Sequence, residues 1–434
     1  MARIGIISPP VTGHLNPFIA LALALRSRGH EPVFVHMADV APRVRRAGLD
    51  FVAIGASDNP EGSLAASLAT LGGLHGRAAL RHVVQAVVRT TTMFCREGVD
   101  ALRAARVDAL LVDQTEPVGA ILAERLDVPC VTVCNALLVN REAGVPPPFT
   151  AWTPSDAWPS LLRNAIGYRA SDFVLRPVHD VLQRQRTSWG MRPWRTIEES
   201  FSPLAQVSQQ PASFDFPRRS LPATFHYCGP FRHRAVDDDP EFDFGRLDGR
   251  PLVYGSLGSL QGNRRDVFDG FADACTDLGV QLLLSHGGAL GEDDVRTLSS
   301  RAIVVRHAPQ QAVLARAAAA LTHAGLNTVL DALSQGVPMV AVPIAFEQPA
   351  IAARVAWTGC GVVVPFGRLS PARVRQALAT VLREPAWRAA AGRQRAAIAD
   401  AGGVARAAAV AEQAVATGRA VHAPLHIRES LTIP

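Results

Sequence analysis

Short apolar runs rich in β-branched residues alternate with longer helical stretches through most of this 434-residue chain, and this alternation constrains its fold most strongly. In the first half the runs are RIGIIS, EPVFVHM, ALLVDQ and VPCVTVCNA. In the second half they are PLVYGSLGS, VQLLLSHGG, AIVVRHAPQ, AAALTHAG and VPMVAVPI. Such runs separated by helices are typical of parallel sheets covered by helices. The sequence therefore predicts an α/β fold.

A change in composition divides the chain, which is too long for a single hydrophobic core. Residues 232–250 read RHRAVDDDPEFDFGRLDGR, an acidic, proline-bearing stretch that indicates a linker. We therefore expect an N-terminal, acceptor-binding domain over 1–231 and a C-terminal, nucleotide-binding domain over 251–404. A helix and tail over 405–434 could pack back on the N-terminal domain. The predicted architecture is two tandem, doubly wound, Rossmann-like domains that face a cleft.

Composition excludes several kinds of chemistry. Every basic residue is an arginine, so a lysine Schiff base, a pyridoxal phosphate anchor and a P-loop lysine are excluded. The six cysteines form no C-x-x-C pair, which is typical of reduced thiols. The net charge of +6 is spread along the chain, so we expect a solvated basic surface and no nucleic-acid partner. We expect a cytoplasmic protein and leave peripheral membrane contact and the oligomeric state open.

Polar residues cluster where the run AAALT meets the next helical stretch. Ligands of open α/β sheets lie beyond the carboxyl ends of the strands, and a helix beginning near Leu326 would direct free N–H groups there. We therefore predict a diphosphate site beside His323, with Gly325 allowing close approach of the ligand. Asn327 and Asp331 share a helical face, and Asp331 could accept hydrogen bonds from ribose hydroxyls. A capped helix with a core histidine is the alternative.

The next strand adds hydrogen-bonding groups suited to neutral hydroxyls. VPMVAVPI is followed by AFEQP, which places Glu347 and Gln348 at the same edge of the predicted sheet. A phosphate site, a ribose contact and a polyol site together indicate a nucleotide sugar as the ligand.

Residues 307–348 resemble the nucleotide-sugar signature of the family 1 UDP-glycosyltransferases, which have the GT-B fold and glycosylate small lipophilic molecules. HAPQ is similar to the family's W-x-P-Q, HAGLNTVLD to H-C-G-W-N-S-x-x-E, and EQ to its closing acidic-Gln pair. The resemblance implies a UDP-sugar donor, inverting transfer and no required metal or other cofactor. The donor-site residues it implies are Ser259, His307, Gln310, His323, Gly325, Asn327, Thr328, Asp331, Glu347 and Gln348.

The resemblance also implies roles for the residues that face the phosphates and ribose. His323 and the N–H groups of Asn327 and Thr328 would hold the diphosphate. Ser259 would add a phosphate contact, and Asp331 would bind the ribose. Asp331 is one methylene shorter than the glutamate usual in the family.

Two further roles concern the ends of the donor. Glu347 and Gln348 would bind the sugar hydroxyls, most simply those of glucose. His307 would stack on uracil, where family members often have Trp. An imidazole stacks more weakly than an indole, so a dTDP-sugar stays open as the alternative to a UDP-sugar.

The base for the reaction is expected in the N-terminal half. Inverting transfer to a hydroxyl needs a base behind the attacking oxygen. The loop after the first strand supplies His14, and a later strand end supplies Asp113, whose carboxylate would fix the imidazole tautomer and stabilise the imidazolium. The family pattern assigns the same roles to residues at these two positions. A helix cap or a packed residue is the alternative for His14.

The acceptor pocket is predicted in the N-terminal half from residues 135–152 and 204–231, whose loops combine prolines, aromatics and apolar residues. Both stretches resemble bacterial zeaxanthin glucosyltransferases, so a carotenoid alcohol is the expected acceptor. Structural connections are the alternative interpretation. Two other functions stay open: a transferase for a polyketide or other natural-product aglycone using a UDP- or dTDP-sugar, and a catalytically silent activator. A dinucleotide-dependent oxidoreductase is disfavoured because PPVTGH lacks G-x-G-x-x-G.

Overall fold

The computed structural model describes residues 1–74, 76–233, 241–258 and 261–424. Within these ranges the chain forms two separate parallel sheets with helices packed against them. This architecture confirms the predicted α/β fold class with two doubly wound units.

The N-terminal sheet contains seven described strands. In chain order they are β1 (Arg3–Ile7), β2 (Glu31–His36), β3 (Asp50–Ala53), β4 (Ala109–Asp113), β5 (Cys130–Cys134), β6 (Gln206–Ser208) and β7 (Phe225–Tyr227). Neighbouring strands are parallel, in the order β3-β2-β1-β4-β5-β6-β7. The helices are α1 (Thr12–Ser27), α2 (Ala41–Arg46), α3 (Ser63–Gly72), α4 (Gly76–Ala104), α5 (Val118–Leu126) and α6 (Trp158–Ser188). Because the order reverses between β1 and β4, a ligand crevice is expected at their carboxyl ends.

The C-terminal sheet contains six described strands. In chain order they are β8 (Leu252–Ser256), β9 (Gln281–Ser285), β10 (Ile303–Val305), β11 (Ala317–Thr322), β12 (Met339–Ala341) and β13 (Gly361–Val363). All are parallel, in the order β10-β9-β8-β11-β12-β13, so the reversal lies between β8 and β11. The helices are α7 (Arg265–Asp277), α8 (Glu292–Leu298), α9 (Gln310–Leu314), α10 (Leu326–Ser334), α11 (Gln348–Trp357), α12 (Pro371–Arg383), α13 (Pro385–Asp400) and α14 (Gly403–Thr417).

The central strands are buried along their whole length. All five residues of β4, ALLVD, and all five of β8, LVYGS, are buried. Parallel sheets covered on both faces favour continuous apolar runs of this kind. A polar residue at the end of such a run, such as Asp113, is therefore held at the edge of the sheet by a rigid apolar core.

The last helix, α14, packs against the N-terminal half of the molecule. It contacts α1 and contributes Ala407 and Ala411 to the core of the first sheet. Arg28, the residue after α1, donates a hydrogen bond to Glu412 of α14. Residues 425–434 of the predicted tail lie outside the described residues, as do residues 234–240 of the predicted linker. The exact domain boundaries stay a prediction.

A buried ion pair joins the two halves. Arg354 of α11 donates two hydrogen bonds to Asp215, of 2.8 and 3.0 Å, and its guanidinium lies 4.1 Å from the centre of the Phe216 ring. Burial raises the pKa of Asp215, but the charges of Arg218 and Arg354 outweigh burial and lower it to about 2. The carboxylate therefore stays charged and fixes α11 to the N-terminal half.

The aromatic residues of 204–231 are part of this packing. Phe214, Phe216, Phe225 and Phe231 are all buried among other side chains. Fully buried rings do not line an open pocket. The phenylalanines of this stretch therefore pack inside the protein, and the contribution of residues 204–231 to an acceptor pocket stays a prediction.

Within the described ranges, none of the helices combines the length and apolar content that a bilayer-crossing segment needs.

Candidate active site

The structure brings His14 and Asp113 together at the β1/β4 reversal. His14 lies in the first turn of α1, directly after β1, and Asp113 is the last residue of the adjacent strand β4. The His14 Nδ1 atom lies 2.8 Å from Asp113 Oδ2. With the Nδ1 proton donated to the carboxylate, the lone pair on Nε2 is free to accept a proton.

Other hydrogen bonds hold the Asp113 carboxylate in place. Its Oδ1 accepts from the backbone N–H and the hydroxyl of Thr115, at 2.9 and 2.7 Å. Its Oδ2 accepts from the side-chain amide of Asn135 at 3.1 Å. A carboxylate fixed by three donors besides the imidazole orients the histidine with little freedom to rotate.

The charges of the pair are mutually stabilised. Burial lowers the pKa of His14, but the charge of Asp113 and the hydrogen bond to it outweigh burial, with smaller effects of Glu347 and Glu116, so the net pKa is raised. Burial raises the pKa of Asp113, but the charge of His14 and the hydrogen bonds from His14 and Thr115 outweigh it, so the net pKa is lowered. The arrangement suits an imidazole base with an ionised orienting partner.

Glu116 is a second carboxyl group at this site, and it was not among the residues predicted from the sequence. It is buried, its backbone N–H donates to the Asp113 carbonyl oxygen at 2.9 Å, and its Oε2 has no hydrogen-bond partner among the described residues. Burial and the charge of Asp113 raise the pKa of Glu116 to about 8. It is therefore largely protonated at neutral pH. Its position three residues after a strand-end aspartate was the available signal.

The second polar cluster lies at the β8/β11 reversal. The predicted helix start at Leu326 is confirmed, since α10 begins there. Ala324 just before it has a left-handed φ of 65°, a conformation that costs a non-glycine residue energy and is often found at functional sites. Gly325, at the N-cap position, provides no side-chain cap, so the first-turn N–H groups are available to an anion.

His323 is buried beside the start of α10. Burial lowers its pKa to about 4, so the imidazole is neutral at pH 7 and offers an N–H donor without a charge. Its Nδ1 has no hydrogen-bond partner among the described residues. A Cβ built on Gly325 would lie 2.5 Å from His323 Nε2, and one on Gly258 would lie 2.8 Å from its Cε1. Gly325 therefore makes room for the His323 ring, a constraint that the prediction of close ligand approach did not include.

Asp331 has more partners than the sequence predicted. Its carboxylate accepts hydrogen bonds from Gln310 at 2.5 Å, Gln311 at 2.6 Å and Arg232 Nε at 2.7 Å. Gln310 was predicted at this site, whereas Gln311 and Arg232 were missed. Ribose hydroxyls would have to share this carboxylate with three donors of the chain itself.

Asn327 links the two halves next to the His14–Asp113 pair. Its side-chain amide donates to the carbonyl oxygen of Gly13 at 2.9 Å, and Gly13 directly precedes His14. The backbone carbonyl oxygen of Asn327 accepts a hydrogen bond from Arg232 Nη2 at 3.2 Å. Thr328 follows it in the first turn of α10 and is buried.

Glu347 and Gln348 lie at the start of α11, where they approach the N-terminal half. Glu347 Oε2 accepts from the backbone N–H of Leu137 at 3.1 Å, and burial raises the pKa of Glu347. Gln348 Oε1 accepts from the backbone N–H groups of Ile344 and Ala345, both at 2.8 Å, which leaves its NH₂ group to donate elsewhere.

His307 and Ser259 complete the set of predicted donor-site residues. His307 is exposed two residues after β10. Ser259 lies outside the described residues. Among the described residues, no group of three or more His, Cys, Asp or Glu side chains is arranged to hold a metal ion.

A continuous series of hydrogen bonds joins the two clusters. Asn135 donates to Asp113, and its carbonyl oxygen accepts from the side-chain amide of Gln209 at 2.5 Å. Gln209 Oε1 accepts from Arg232 Nη1 at 3.3 Å, and Arg232 in turn donates to Asp331. The His14–Asp113 pair and Asp331, the predicted ribose contact, are therefore connected by hydrogen bonds through Asn135, Gln209 and Arg232.

Known proteins resemble this chain over nearly its whole length. The family model described as UDP-glucoronosyl and UDP-glucosyl transferase matches residues 75–394. A zeaxanthin glucosyltransferase of Pantoea ananas is 34% identical over 426 residues, covering 97% of this chain and 98% of the relative. A zeaxanthin glucosyltransferase of Pseudescherichia vulneris is 32% identical over 434 residues, covering 97% of this chain and all of the relative.

Solved structures share the fold at lower identity. The calicheamicin glycosyltransferase CalG4 has a TM-score of 0.74 at 24% identity, covering 95% of this chain and 98% of its own. The glycosyltransferase VinC in complex with dTDP has a TM-score of 0.68 at 22% identity, covering 95% and 100%. These likenesses confirm the predicted GT-B architecture.

Proposed function

Because this chain belongs to the UDP-glucoronosyl and UDP-glucosyl transferase family, and is thus a nucleotide-sugar-dependent glycosyltransferase, we propose that it moves glucose from UDP-glucose to a carotenoid hydroxyl with inversion. One observation carries the proposal. The His14–Asp113 pair and the start of α10 belong to different sheets yet meet directly, since Asn327 of α10 donates to Gly13 beside His14.

The proposed reaction is a single displacement. The acceptor hydroxyl oxygen forms a bond to the anomeric carbon while His14 Nε2 takes the hydroxyl proton. The bond from the anomeric carbon to the diphosphate oxygen breaks, and UDP leaves with the electron pair. The imidazolium that forms is stabilised by Asp113, as its 2.8 Å hydrogen bond supports. Attack opposite the leaving group inverts the anomeric configuration.

The leaving diphosphate is assigned to the start of α10. The first-turn N–H groups and the helix dipole favour a negative charge there. His323, neutral in the ligand-free protein, would donate a hydrogen bond to a phosphate oxygen. We assign the ribose to Asp331 and Gln310, which already contact each other, and the uracil to His307.

The sugar is assigned to the start of α11. Glu347 has a carboxylate oxygen beyond the one bound to Leu137, and Gln348 has an NH₂ group besides the oxygen that accepts from Ile344 and Ala345. Together they provide an acceptor and donors for the equatorial hydroxyls of glucose. Glu347 raises the pKa of His14 through its charge, which supports placing the sugar close to the base.

A cavity with several apolar side chains in its lining supports a lipophilic acceptor. A cavity of about 300 Å³ lies between α3 and α4 on one side and C-terminal loops on the other. Its apolar lining comes from Leu68 and Leu71 of α3 and from Ile344, Phe346 and Phe366. Phe346 lines the cavity and directly precedes Glu347, which the proposal assigns to the sugar. The names of two relatives, zeaxanthin glucosyltransferases, favour a carotenoid within this class.

The proposal is tested with the purified full chain, UDP-glucose and zeaxanthin in detergent micelles. We expect a β-glucoside, identified by mass and by the anomeric coupling constant, together with one UDP per glucoside. UDP-N-acetylglucosamine and dTDP-deoxysugars serve as competing donors, and His14→Ala is the inactive control. A preference for a deoxysugar would contradict the donor assignment, and transfer only to polyketide aglycones would contradict the acceptor.

A further inference from the structure

Helix α6 exposes large apolar side chains along one face of its first half. Trp158 and Phe173 are each 75% exposed, Leu162 is 54% exposed and Ile166 is 57% exposed. Their spacings of four, four and seven residues place them on a single side of the helix. Large side chains of this kind seldom stand in water together without a partner.

The two halves of α6 differ in their packing. Val178, Leu182 and Arg186 of the second half are buried, whereas Asn164 is the buried residue of the first half. Two more large apolar side chains of the same region, Phe149 and Leu175, are also exposed. The first half of α6 therefore has one buried residue and turns an apolar surface outward.

Arginines complete this surface. Arg169 and Arg176 fall on the same side as Phe173 by their spacing, and both are exposed. The Arg176 side chain is 72% exposed, and its Nε lies 3.9 Å from Asp180 Oδ2. The nearby Asp172 is paired with Arg141. Tryptophan, phenylalanine and leucine beside arginine are typical of helices that lie in the headgroup layer of an anionic membrane.

We propose that the α6 face, defined as Trp158, Leu162, Ile166, Arg169, Phe173 and Arg176, docks on an anionic phospholipid bilayer. The inference rests on the proposed function in one respect, because a carotenoid-class acceptor partitions into the bilayer. The apolar side chains enter the headgroup layer, and the two arginines pair with lipid phosphates.

The first half of α6 is tied to the loop that reaches the active site. The Asn164 side chain donates to the carbonyl oxygen of Ala143 at 2.9 Å, and the Tyr168 hydroxyl donates to that of Val145 at 2.9 Å. This loop begins near Leu137, whose N–H binds Glu347. Docking the α6 face would therefore place the loop between the bilayer and the sugar site, along a route for an acceptor leaving the membrane.

The test is co-sedimentation of the full chain with vesicles of phosphatidylcholine and phosphatidylglycerol (7:3), compared with pure phosphatidylcholine. No sugar donor or acceptor is added. We expect binding to the anionic vesicles that weakens in high salt. The double variant Trp158→Ser/Phe173→Ser should lower the partition coefficient at least about tenfold, because two large apolar side chains no longer enter the lipid. Arg169→Gln/Arg176→Gln should lower it for anionic vesicles only.

The matched control is Trp357→Ser, since Trp357 is 49% exposed but lies on α11 in the other half. It should bind vesicles like the wild type, and circular dichroism checks the fold of every variant. Absence of vesicle binding by the wild type would overturn the inference, as would equal binding by the Trp158→Ser/Phe173→Ser variant. A wild-type dimer in sedimentation that this variant abolishes would also overturn it, and would identify the face as an interface between two copies.

The outcomes separate this inference from the proposed function. Vesicle binding without transfer to zeaxanthin would support the docking surface and contradict the acceptor. Transfer to zeaxanthin in micelles without vesicle binding would support the acceptor and contradict the docking surface.

Discussion

The two halves of the molecule place polar sites at equivalent topological positions but prepare them differently. At the β1/β4 reversal, Asp113 is ionised and hydrogen-bonded to His14, whose imidazole becomes charged when it takes up a proton. At the β8/β11 reversal, the group nearest the start of α10 is a neutral His323. A base must be oriented before the acceptor arrives, whereas a diphosphate brings its own charge and needs only donors. In the proposed reaction, a positive charge forms on His14 at the first site, whereas the second site, the diphosphate site at the start of α10, binds a ligand that is already negatively charged.

The largest expected effect removes the base and leaves the donor site intact. In His14→Ala, turnover should fall by roughly a hundred- to ten-thousand-fold, the usual contribution of a positioned general base. Affinity for UDP should stay nearly unchanged, because its proposed contacts lie in the other half. Turnover by UDP release and binding by calorimetry check both parts. His179→Ala, a histidine of α6 bound to Gln183, is the control. Near-normal turnover of His14→Ala would rule out the base assignment.

Asp113→Asn should lose part of the same factor, because the imidazole remains but is poorly oriented. Adding it to His14→Ala should cost little more, since the carboxylate then has no imidazole to orient. Losses that multiply would mean that Asp113 acts independently, for instance on the acceptor.

The same variant tests the charge coupling through its pH profile. Asp113 raises the pKa of His14, and a base works only when unprotonated, so kcat/KM of the wild type should fall below a pKa above 6.5. Without the carboxylate this acid limb should move to lower pH. An unmoved limb would show that the limb does not report His14.

The variant Gly325→Ala adds a methyl group at the proposed diphosphate site. Gly325→Ala places a Cβ 2.5 Å from His323 Nε2, so the ring must shift. We expect affinity for UDP to fall about ten- to hundredfold, the typical loss of one hydrogen bond to a charged group. The acid limb of kcat/KM should stay in place. Gly270→Ala in α7 is the matched control, because a Cβ there meets no atom within 4 Å. Equal UDP affinity in Gly325→Ala and the wild type would contradict the role of His323.

Glu116→Gln tests the protonated carboxyl beside the base through stability. The unfolded chain ionises this group above about pH 4.5, whereas the folded protein keeps it protonated to about pH 8. The group therefore lowers the free energy of unfolding as pH rises through this window, by about 1.4 kcal/mol per pH unit at most. Glu116→Gln should lack this slope and be more stable than the wild type at pH 8.

Urea unfolding of both proteins at pH 5 and pH 8 measures this difference. The exposed Glu61→Gln provides the control. Identical slopes in the wild type and Glu116→Gln would show that Glu116 ionises normally.

The smallest expected effect is that of a chelator. Because the helix start and the His323 N–H are proposed to hold the diphosphate, transfer should persist in excess EDTA. If EDTA abolished transfer and Mg²⁺ or Mn²⁺ restored it, the diphosphate site would need a bound cation.

Local patterns were enough for much of the fold and part of the site. Apolar runs located the central strands, and the glycine and polar residues after AAALT located the start of α10 at Leu326. His14 and Asp113 follow adjacent strands, so their contact could be predicted once the strands were recognised. These features depend on residues close in sequence or on strand ends, which share one edge in a parallel sheet.

The partners and charges of the site residues depend on contacts between distant parts of the chain. Arg232 meets Asp331 from 99 positions away, and no local pattern encodes that contact. The protonated Glu116 and the neutral His323 follow from burial, which depends on the packing of several elements at once. Short-range periodicity in the sequence predicted the central strands and the side chains at their ends, but not the short strands β3, β6, β7 and β13. The surroundings that set the hydrogen bonds and ionisation of those side chains arise only when the two halves pack together.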